Sequence, residues 1–268
     1  SNRPIKKYLF INYKHFNFIL ILFFAFLYKA LSNQGNRRLF NMDSKIHLIV
    51  RGMGDLNIFY SGFYKTPSEV YINGQKQEMI NCNYYFSQEE NNVTLIFEGE
   101  LNSCYRIFYL CINVISIDLS EFDFSQVTDM QYMFRDCINL ETINFGNINT
   151  SSAENMRSLF YNCSNLISID VSKFDTSSVT HMGWMFFGCT SLKSIDVSNF
   201  NTKNIENMYS LFAQCKQITS LNLTNFDTSK VTNMHTMFTS CYNLKYLDIS
   251  SFDTSNVKDI QAMFYNCK

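Results

Sequence analysis

The chain has 268 residues and a formal net charge of −1, with 26 phenylalanines and 16 tyrosines but only 2 prolines and 9 glycines. So many aromatic residues can build a large core, and the scarcity of proline and glycine excludes collagen-like and low-complexity disordered chains. The balanced net charge does not imply a basic patch, so nucleic acid is not an expected partner.

The first segment, residues 1–32, has the pattern of a secretory signal peptide or a signal anchor. Basic residues precede an apolar run at residues 16–27, and Ala30 and Ser32 follow it. The run is short for a membrane span. A cleaved signal, an uncleaved anchor and a buried strand or helix are all compatible with it. We expect a surface or secreted protein, with membrane contact only through this segment or an anchor beyond Lys268.

Residues 33–100 do not repeat and are predicted to form a small β-rich capping region. Strand-like runs lie at residues 45–50, 69–72 and 92–97. Asn73 and Gly74 follow the second run and are a typical hairpin signal. A repeat array needs such a cap because its first repeat would otherwise expose core residues.

Residues 101–268 repeat with a period of 26 residues. Seven cysteines mark it: Cys111, Cys137, Cys163, Cys189, Cys215, Cys241 and Cys267. A phenylalanine precedes each of these ladder cysteines by three residues. A fixed period of this length predicts a solenoid, here of seven units with the last one incomplete.

Each unit is predicted to contain one helix and one strand. The helical spacing i, i+3, i+4 and i+7 is shared by four apolar residues: Met182, Met185, Phe186 and Cys189. Ile195 and Val197 then alternate with polar residues, as in a strand with one buried face. The predicted fold is therefore α/β, a leucine-rich-repeat-type solenoid of helix–strand units with a parallel sheet, preceded by the β-rich cap.

The repeat motif also resembles a known family. Its residues in one unit are Phe174, Asp175, Thr176, Ser177, Val179, Thr180, Met182, Met185, Phe186 and Cys189, and residues 226–241 repeat them. This motif resembles that of the BspA-type leucine-rich-repeat family over about residues 101–268. The resemblance implies a surface or secreted adhesion-type protein, and it supplies no catalytic residues to transfer.

The ladder cysteines allow three interpretations. They lie on the apolar face beside phenylalanine, and free cysteine behaves as a small buried hydrophobe, which favours buried thiols. Stacked repeats would also place neighbouring cysteines within disulfide range. A metal ladder is the third interpretation, but zinc sites use paired cysteines or added histidines. Cys82 and Cys104 lie off the ladder and could form a bridge between the cap and the first repeat.

Aspartates recur at two positions of the unit, one on the outer face of the predicted strand and one in the turn after it. The strand position holds Asp118, Asp170, Asp196 and Asp248, and the turn position holds Asp123, Asp175, Asp227 and Asp253. Calcium prefers such oxygen ligands. Aspartate before Thr-Ser commonly bonds the local backbone instead, so we expect a structural role and no cofactor.

Two surfaces are candidate partner-binding faces. The first, the strand face, is a polar grid predicted to project outward: Ser168, Asp170, Ser172, Ser194, Asp196, Ser198 and Tyr246. The alternative is the variable slot between the core methionines, which holds Tyr132 and Trp184. The pattern predicts isolated exposed rings in that slot, with an aromatic contact as the alternative.

The predicted function is that of a non-enzymatic surface or secreted repeat protein that binds protein or glycan ligands on other cells or matrix. No catalytic residues are expected, because the 4 histidines share no repeat position and no nucleophile elbow is present. The ectodomain of a receptor, with its membrane span beyond Lys268, is the main alternative. An extracellular carbohydrate-active enzyme is a weaker one.

Overall fold

The computed structural model describes residues 43–268, and the predicted signal segment lies outside the described residues. Ten strands occur within these residues. They are β1 Ser44–Arg51, β2 Gly54–Asn57, β3 Glu69–Ile72, β4 Gln75–Lys76, β5 Asn83–Phe86, β6 Glu90–Phe97, β7 Val114–Asp118, β8 Thr142–Asn144, β9 Ser220–Asn222 and β10 Tyr246–Asp248. Residues 43–268 contain no α-helix.

The largest sheet joins the non-repeating segment to the repeats. Its strand order is β4-β3-β6-β1-β7-β8, and β1 pairs antiparallel with both β6 and β7. Ile46, Leu48 and Val50 of β1 alternate with more exposed residues and are buried, as strand periodicity requires. Strand β7 belongs to the first repeat and pairs in parallel with β8 of the second. The first repeat is therefore covered by β1 through a continuous hydrogen-bonded sheet.

Two short antiparallel pairs complete the segment before the repeats. Strands β2 and β5 form one of them. Strands β3 and β4 form the other, in which Ile72 pairs with Gln75 across Asn73 and Gly74. Both turn residues have positive φ, 51° and 79°, as a two-residue hairpin of the favoured hand requires. The hairpin predicted from these two residues is confirmed.

The predicted helix of each repeat is wrong. The amide of Phe186 donates to the carbonyl of Leu211 in the next repeat, at 3.0 Å, and not to a residue four positions earlier. Trp184 and Gly188 have positive φ values of 59° and 72°, which a right-handed helix does not allow. The segment is a series of β-turns, in which Cys189 donates to Phe186 at 3.2 Å. The repeats are thus not the helix–strand units of an α/β solenoid.

The predicted parallel sheet along the whole array is also wrong. In the described repeats, strands form only as the pairs β7–β8 and β9–β10. Between them, Lys193 still donates to the carbonyl of Ile167 at 3.1 Å. The Asp196 carboxylate then accepts the amide of Ser198 at 2.9 Å. The same bond closes the turn after the paired strands β7 and β10, where Asp118 and Asp248 accept the amides of Ser120 and Ser250, so it does not distinguish the repeats that form strands from those that do not.

The interior of the stack is a column of phenylalanine rings and thiols. Phe186 lies parallel to Phe160 and Phe212, with ring centroids 5.5 and 5.6 Å away. The thiol of Cys189 donates to the carbonyl of Phe160 in the preceding repeat, at 3.2 Å. The same bond recurs from Cys137 through Cys267, at 2.9–3.2 Å. Each ladder cysteine from the second repeat onward therefore fills core volume and also gives a second hydrogen bond to a carbonyl that already accepts a backbone amide within its own repeat.

Buried threonines connect neighbouring repeats on the other side of the core. The hydroxyl of Thr176 donates to the Asn201 carbonyl at 3.0 Å and accepts the Asn201 amide at 2.7 Å. Thr150 and Thr228 make the same pair of bonds to Asp175 and Asp253. A buried backbone amide or carbonyl without a partner is costly, so these hydroxyls stabilise the stack where no strand pairing exists.

Candidate functional site

The strand face is solvent-exposed, with all seven of its residues at the surface. Its two serine–aspartate groups lie in adjacent repeats, and Asn199 connects these repeats by donating to the Val171 carbonyl at 3.0 Å. Tyr246 lies two repeats beyond Ser194, in β10, and is 73% exposed. The structure therefore brings six of the predicted residues together and places Tyr246 separately on an open groove beside β9.

The aspartates of the strand face are bonded to their own turns. Asp170 accepts the amide of Ser172 at 2.9 Å, and Asp196 accepts that of Ser198 at 2.9 Å. Hydrogen bonds from the side chain and then from the backbone amide of the same serine lower the pKa of both carboxyl groups from its ordinary value. At the turn position, Asp175 accepts the amide of Ser177, and the side chain and amide of that serine lower the pKa of Asp175. The carboxylates have the structural turn role that the sequence predicts.

The alternative face, with Tyr132 and Trp184, lies on the series of turns. Neither ring is isolated, so that prediction is wrong. The Tyr132 ring lies 5.9 Å from Tyr105, and the Trp184 ring lies 3.7 Å from Tyr209. Gly183 leaves room for this last contact, since a Cβ there would lie 2.8 Å from a Tyr209 ring carbon.

Three arginines lie against these rings, one from each of the first three repeats. The guanidinium of Arg106 is 5.2 Å from the Tyr132 ring, and that of Arg157 is 4.6 Å from the Trp184 ring. Arg135 lies between Tyr132 at 5.2 Å and Tyr161 at 4.3 Å. These distances are those of cation–π contacts. We name the surface the turn-face strip: Tyr105, Arg106, Tyr109, Tyr132, Arg135, Arg157, Tyr161, Trp184, Phe187 and Tyr209.

Sequence reasoning identified two members of the strip and missed the others. All its residues are half-buried, so they have neither the burial of the core nor the full exposure of the strand face. They come from three columns of the repeat, which begin at Tyr105, Arg106 and Tyr109. Tyrosine, tryptophan and arginine alternate between these columns, so no single column shows a pattern. Comparing the three columns together would have revealed the strip.

The remaining candidates for chemistry are the metal-ligating side chains and the thiols. Within residues 43–268 no group of three or more metal-ligating side chains is assembled. The cysteines are free thiols there, Cys82 and Cys104 included, so neither the ladder disulfides nor the Cys82–Cys104 bridge is present in this structure. Burial raises the pKa of the Cys189 thiol to about 12. The part of the chain that the structure describes contains no helix that could span a membrane.

Comparison with known proteins gives one family. A family model described as "Mycoplasma protein of unknown function, DUF285" matches residues 100–220 and again residues 184–268. No curated protein and no solved structure matches the chain. The matched residues are the repeats whose stacking is described above. Because the two matches together span more than half of the 268 residues, the chain belongs to the DUF285 family.

Proposed function

We propose that this chain is a non-enzymatic surface or secreted protein, related to the BspA-type repeat proteins, that binds protein or glycan partners through an extended face of its repeat stack. The observation that supports the proposal is the alignment of equivalent side chains in rows. The rings of Phe108, Phe134 and Phe160 stack with centroids 5.9 and 5.5 Å apart. Residues at the same position of successive repeats therefore form rows with about this spacing.

Rows of this kind favour binding over an extended surface. Solenoid proteins commonly bind along a face to which every repeat contributes. A contact that is weak in one repeat becomes useful when several repeats or several copies engage together. The turn-face strip has the residue types that dominate tight interfaces, which the strand face lacks apart from Tyr246. Of the two candidate faces, we therefore propose the strip as the main one.

The test has two parts, location and face. Cells that express the full chain with a C-terminal epitope tag should be stained without permeabilisation, or should release the tag into the medium. Staining that requires permeabilisation, with no released tag, would contradict the proposed location.

The face is tested by adding purified full chain to intact cultured cells and measuring the bound tag. Two double variants are compared, Tyr132→Ala with Trp184→Ala and Asp170→Lys with Asp196→Lys. Binding should fall for the first and persist for the second, provided that both keep the unfolding temperature of the parent chain. Equal retention by both variants would show that neither face binds.

A further inference from the structure

We propose that the turn-face strip is a site for an acidic glycan, one that carries carboxylate or sulfate groups along a chain of sugars. This proposal rests on the proposed function and names the ligand class for it. It starts from the arginines, which occur once in each of three consecutive repeats. Neighbouring repeats stack with ring centroids 5.5–5.9 Å apart in the phenylalanine column, so the strip gathers three positive charges on one surface of three stacked repeats.

The charge of the strip is balanced only in part by the protein itself. Arg135 lies 3.2 Å from the Asp136 carboxylate. Within residues 43–268, neither Arg106 nor Arg157 has a carboxylate within 4.0 Å. In the same part of the chain, the Nε atoms of both are buried without a hydrogen-bond partner. Aromatic rings, and not carboxylates, contact these two guanidinium groups. Their positive charge is therefore available to an external anion.

The geometry suits recognition of carboxylate or sulfate. A guanidinium that stacks on a ring presents its N–H groups in the plane of the stack, where they can bind two oxygens of one anion. Tyrosine and tryptophan rings beside it offer flat apolar surface with a polar edge. A sugar ring with an acidic substituent can use both features at once, because its C–H face packs on an aromatic ring.

The same surface is poorly suited to an acidic peptide. Peptides that bind without a pocket commonly add a strand to a free sheet edge. The strip has no such edge, because the amides of Arg106, Tyr132 and Trp184 donate to the next repeat at 3.0–3.2 Å. Aromatic rings and charges without a free backbone edge favour a glycan.

The strip is also limited in length. In later repeats the columns that supply it carry small side chains: Ser210, Ala213, Thr236 and Thr239. The continuous series of aromatic and arginine residues thus ends at Tyr209 in the fifth repeat. The same columns carry His235 in the sixth unit and, beyond small side chains, Tyr265 in the last. The phenylalanine column of the core continues to the end. A finite surface on a uniform scaffold indicates a site for a defined stretch of ligand.

The experiment measures binding of the full chain to four immobilised polymers. They are heparin as a sulfated glycan, polygalacturonate as a carboxylated one, dextran as a neutral one, and polyglutamate as an acidic peptide. The chain should bind at least one of the two acidic glycans at about 0.15 M salt, and raising the salt to about 1 M should weaken binding by screening the charges. It should bind dextran and polyglutamate at least about tenfold more weakly.

The variant Arg106→Gln with Arg135→Gln and Arg157→Gln should bind the acidic glycan at least about tenfold more weakly, because three charge-assisted bonds are lost. Its matched control is Lys193→Gln with Lys245→Gln and Lys258→Gln. This control removes the same charge from exposed positions outside the strip. It should change affinity by less than about threefold, since distant exposed charges are screened.

A second variant keeps the test decisive if the glutamine variant does not fold. Arg106→Lys with Arg157→Lys retains the charge but not the planar fork, and it should still weaken binding several-fold. Affinity equal to that of the parent chain would overturn the proposal. So would tighter binding to polyglutamate, equal binding to dextran, or no binding to either acidic glycan. A chain that binds cells but neither acidic glycan would overturn this proposal alone and leave the proposed function standing.

Discussion

The phenylalanine column offers the sharpest test of how the stack is held together. Phe186 is 1% exposed, and its ring lies parallel to two neighbours at 5.5 and 5.6 Å. Phe264 is 45% exposed and has one such neighbour, Phe238, at 5.5 Å. The two positions are equivalent in the repeat, so the same substitution compares an interior position with a terminal one.

Phe186→Ala should lower the free energy of unfolding by about 3–5 kcal/mol, because it removes a buried ring and leaves a cavity between rigid neighbours. Phe264→Ala should cost only about 1–2 kcal/mol, since about half of the ring is already in water and the site can relax. Phe186→Leu should fall between them, because it keeps most of the apolar volume but loses the ring stacking, worth about 0.5–1.5 kcal/mol per pair.

Urea unfolding followed by far-UV circular dichroism and tyrosine fluorescence measures these costs. For a domain of this size, 1 kcal/mol corresponds to roughly 2–4 °C, so Phe186→Ala should also lower the melting temperature by about 6–20 °C. Equal losses for Phe186→Ala and Phe264→Ala would refute the reasoning, because the cost would then not depend on burial within the column.

Three further predictions concern the thiols, the buried threonines and the turn aspartates. Alkylation of the native protein followed by mass measurement should label Cys82 and leave the six buried ladder thiols unlabelled until urea is added, since burial blocks access and raises their pKa. Labelling of the ladder without denaturant would contradict the buried column. Thr176→Val should lower the free energy of unfolding by about 1–3 kcal/mol, because it leaves the amide and carbonyl of Asn201 unpaired, whereas Thr176→Ser should cost less than about 1 kcal/mol. A valine variant as stable as the parent would show that these bonds do not hold the repeats together. The pKa values of Asp175 and Asp227 are lowered by hydrogen bonds from serine, so their stabilising effect is complete above the ordinary carboxyl pKa of about 3.9 and is lost as the pH falls through the lowered value. Melting temperatures between about pH 2 and 5 should therefore fall less steeply for Asp175→Asn with Asp227→Asn than for the parent chain.

The sequence predicts which residues are buried better than it predicts the backbone. Met182, Met185, Phe186 and Cys189 are all buried, as their spacing requires. That spacing does not determine the partner of each amide. A helix satisfies an amide four residues back, whereas here the amide of Phe186 bonds the next repeat. Both arrangements place the same four side chains on one face, so periodicity alone could not distinguish them.

A further signal was present in the column that precedes the ladder cysteines. All seven of its residues have positive φ between 58° and 72°, and four of the seven are Asp136, Asn162, Gly188 and Asn266. Asparagine, aspartate and glycine tolerate this conformation better than other residues do, and they have low helix propensity. The recurrence of such residues beside an apolar helix-like spacing indicates turns that bond to a neighbouring repeat.

The strip illustrates why function is harder to predict than the stack. Tyr132 and Trp184 have positive φ of 60° and 59°, where a large side chain is strained and glycine or asparagine would fit more easily. The same column holds Ser158 and Ser210 in other repeats, so the fold itself does not require a ring there. Inter-repeat backbone bonds hold this conformation whatever the side chain is, and the column can therefore carry large residues at a modest cost. Large aromatic residues at strained, half-exposed positions favour a role in binding. A consensus sequence of the repeats would omit Tyr132 and Trp184, because serine is the commonest residue in their column. The function is therefore hidden in the residues that depart from the repeat.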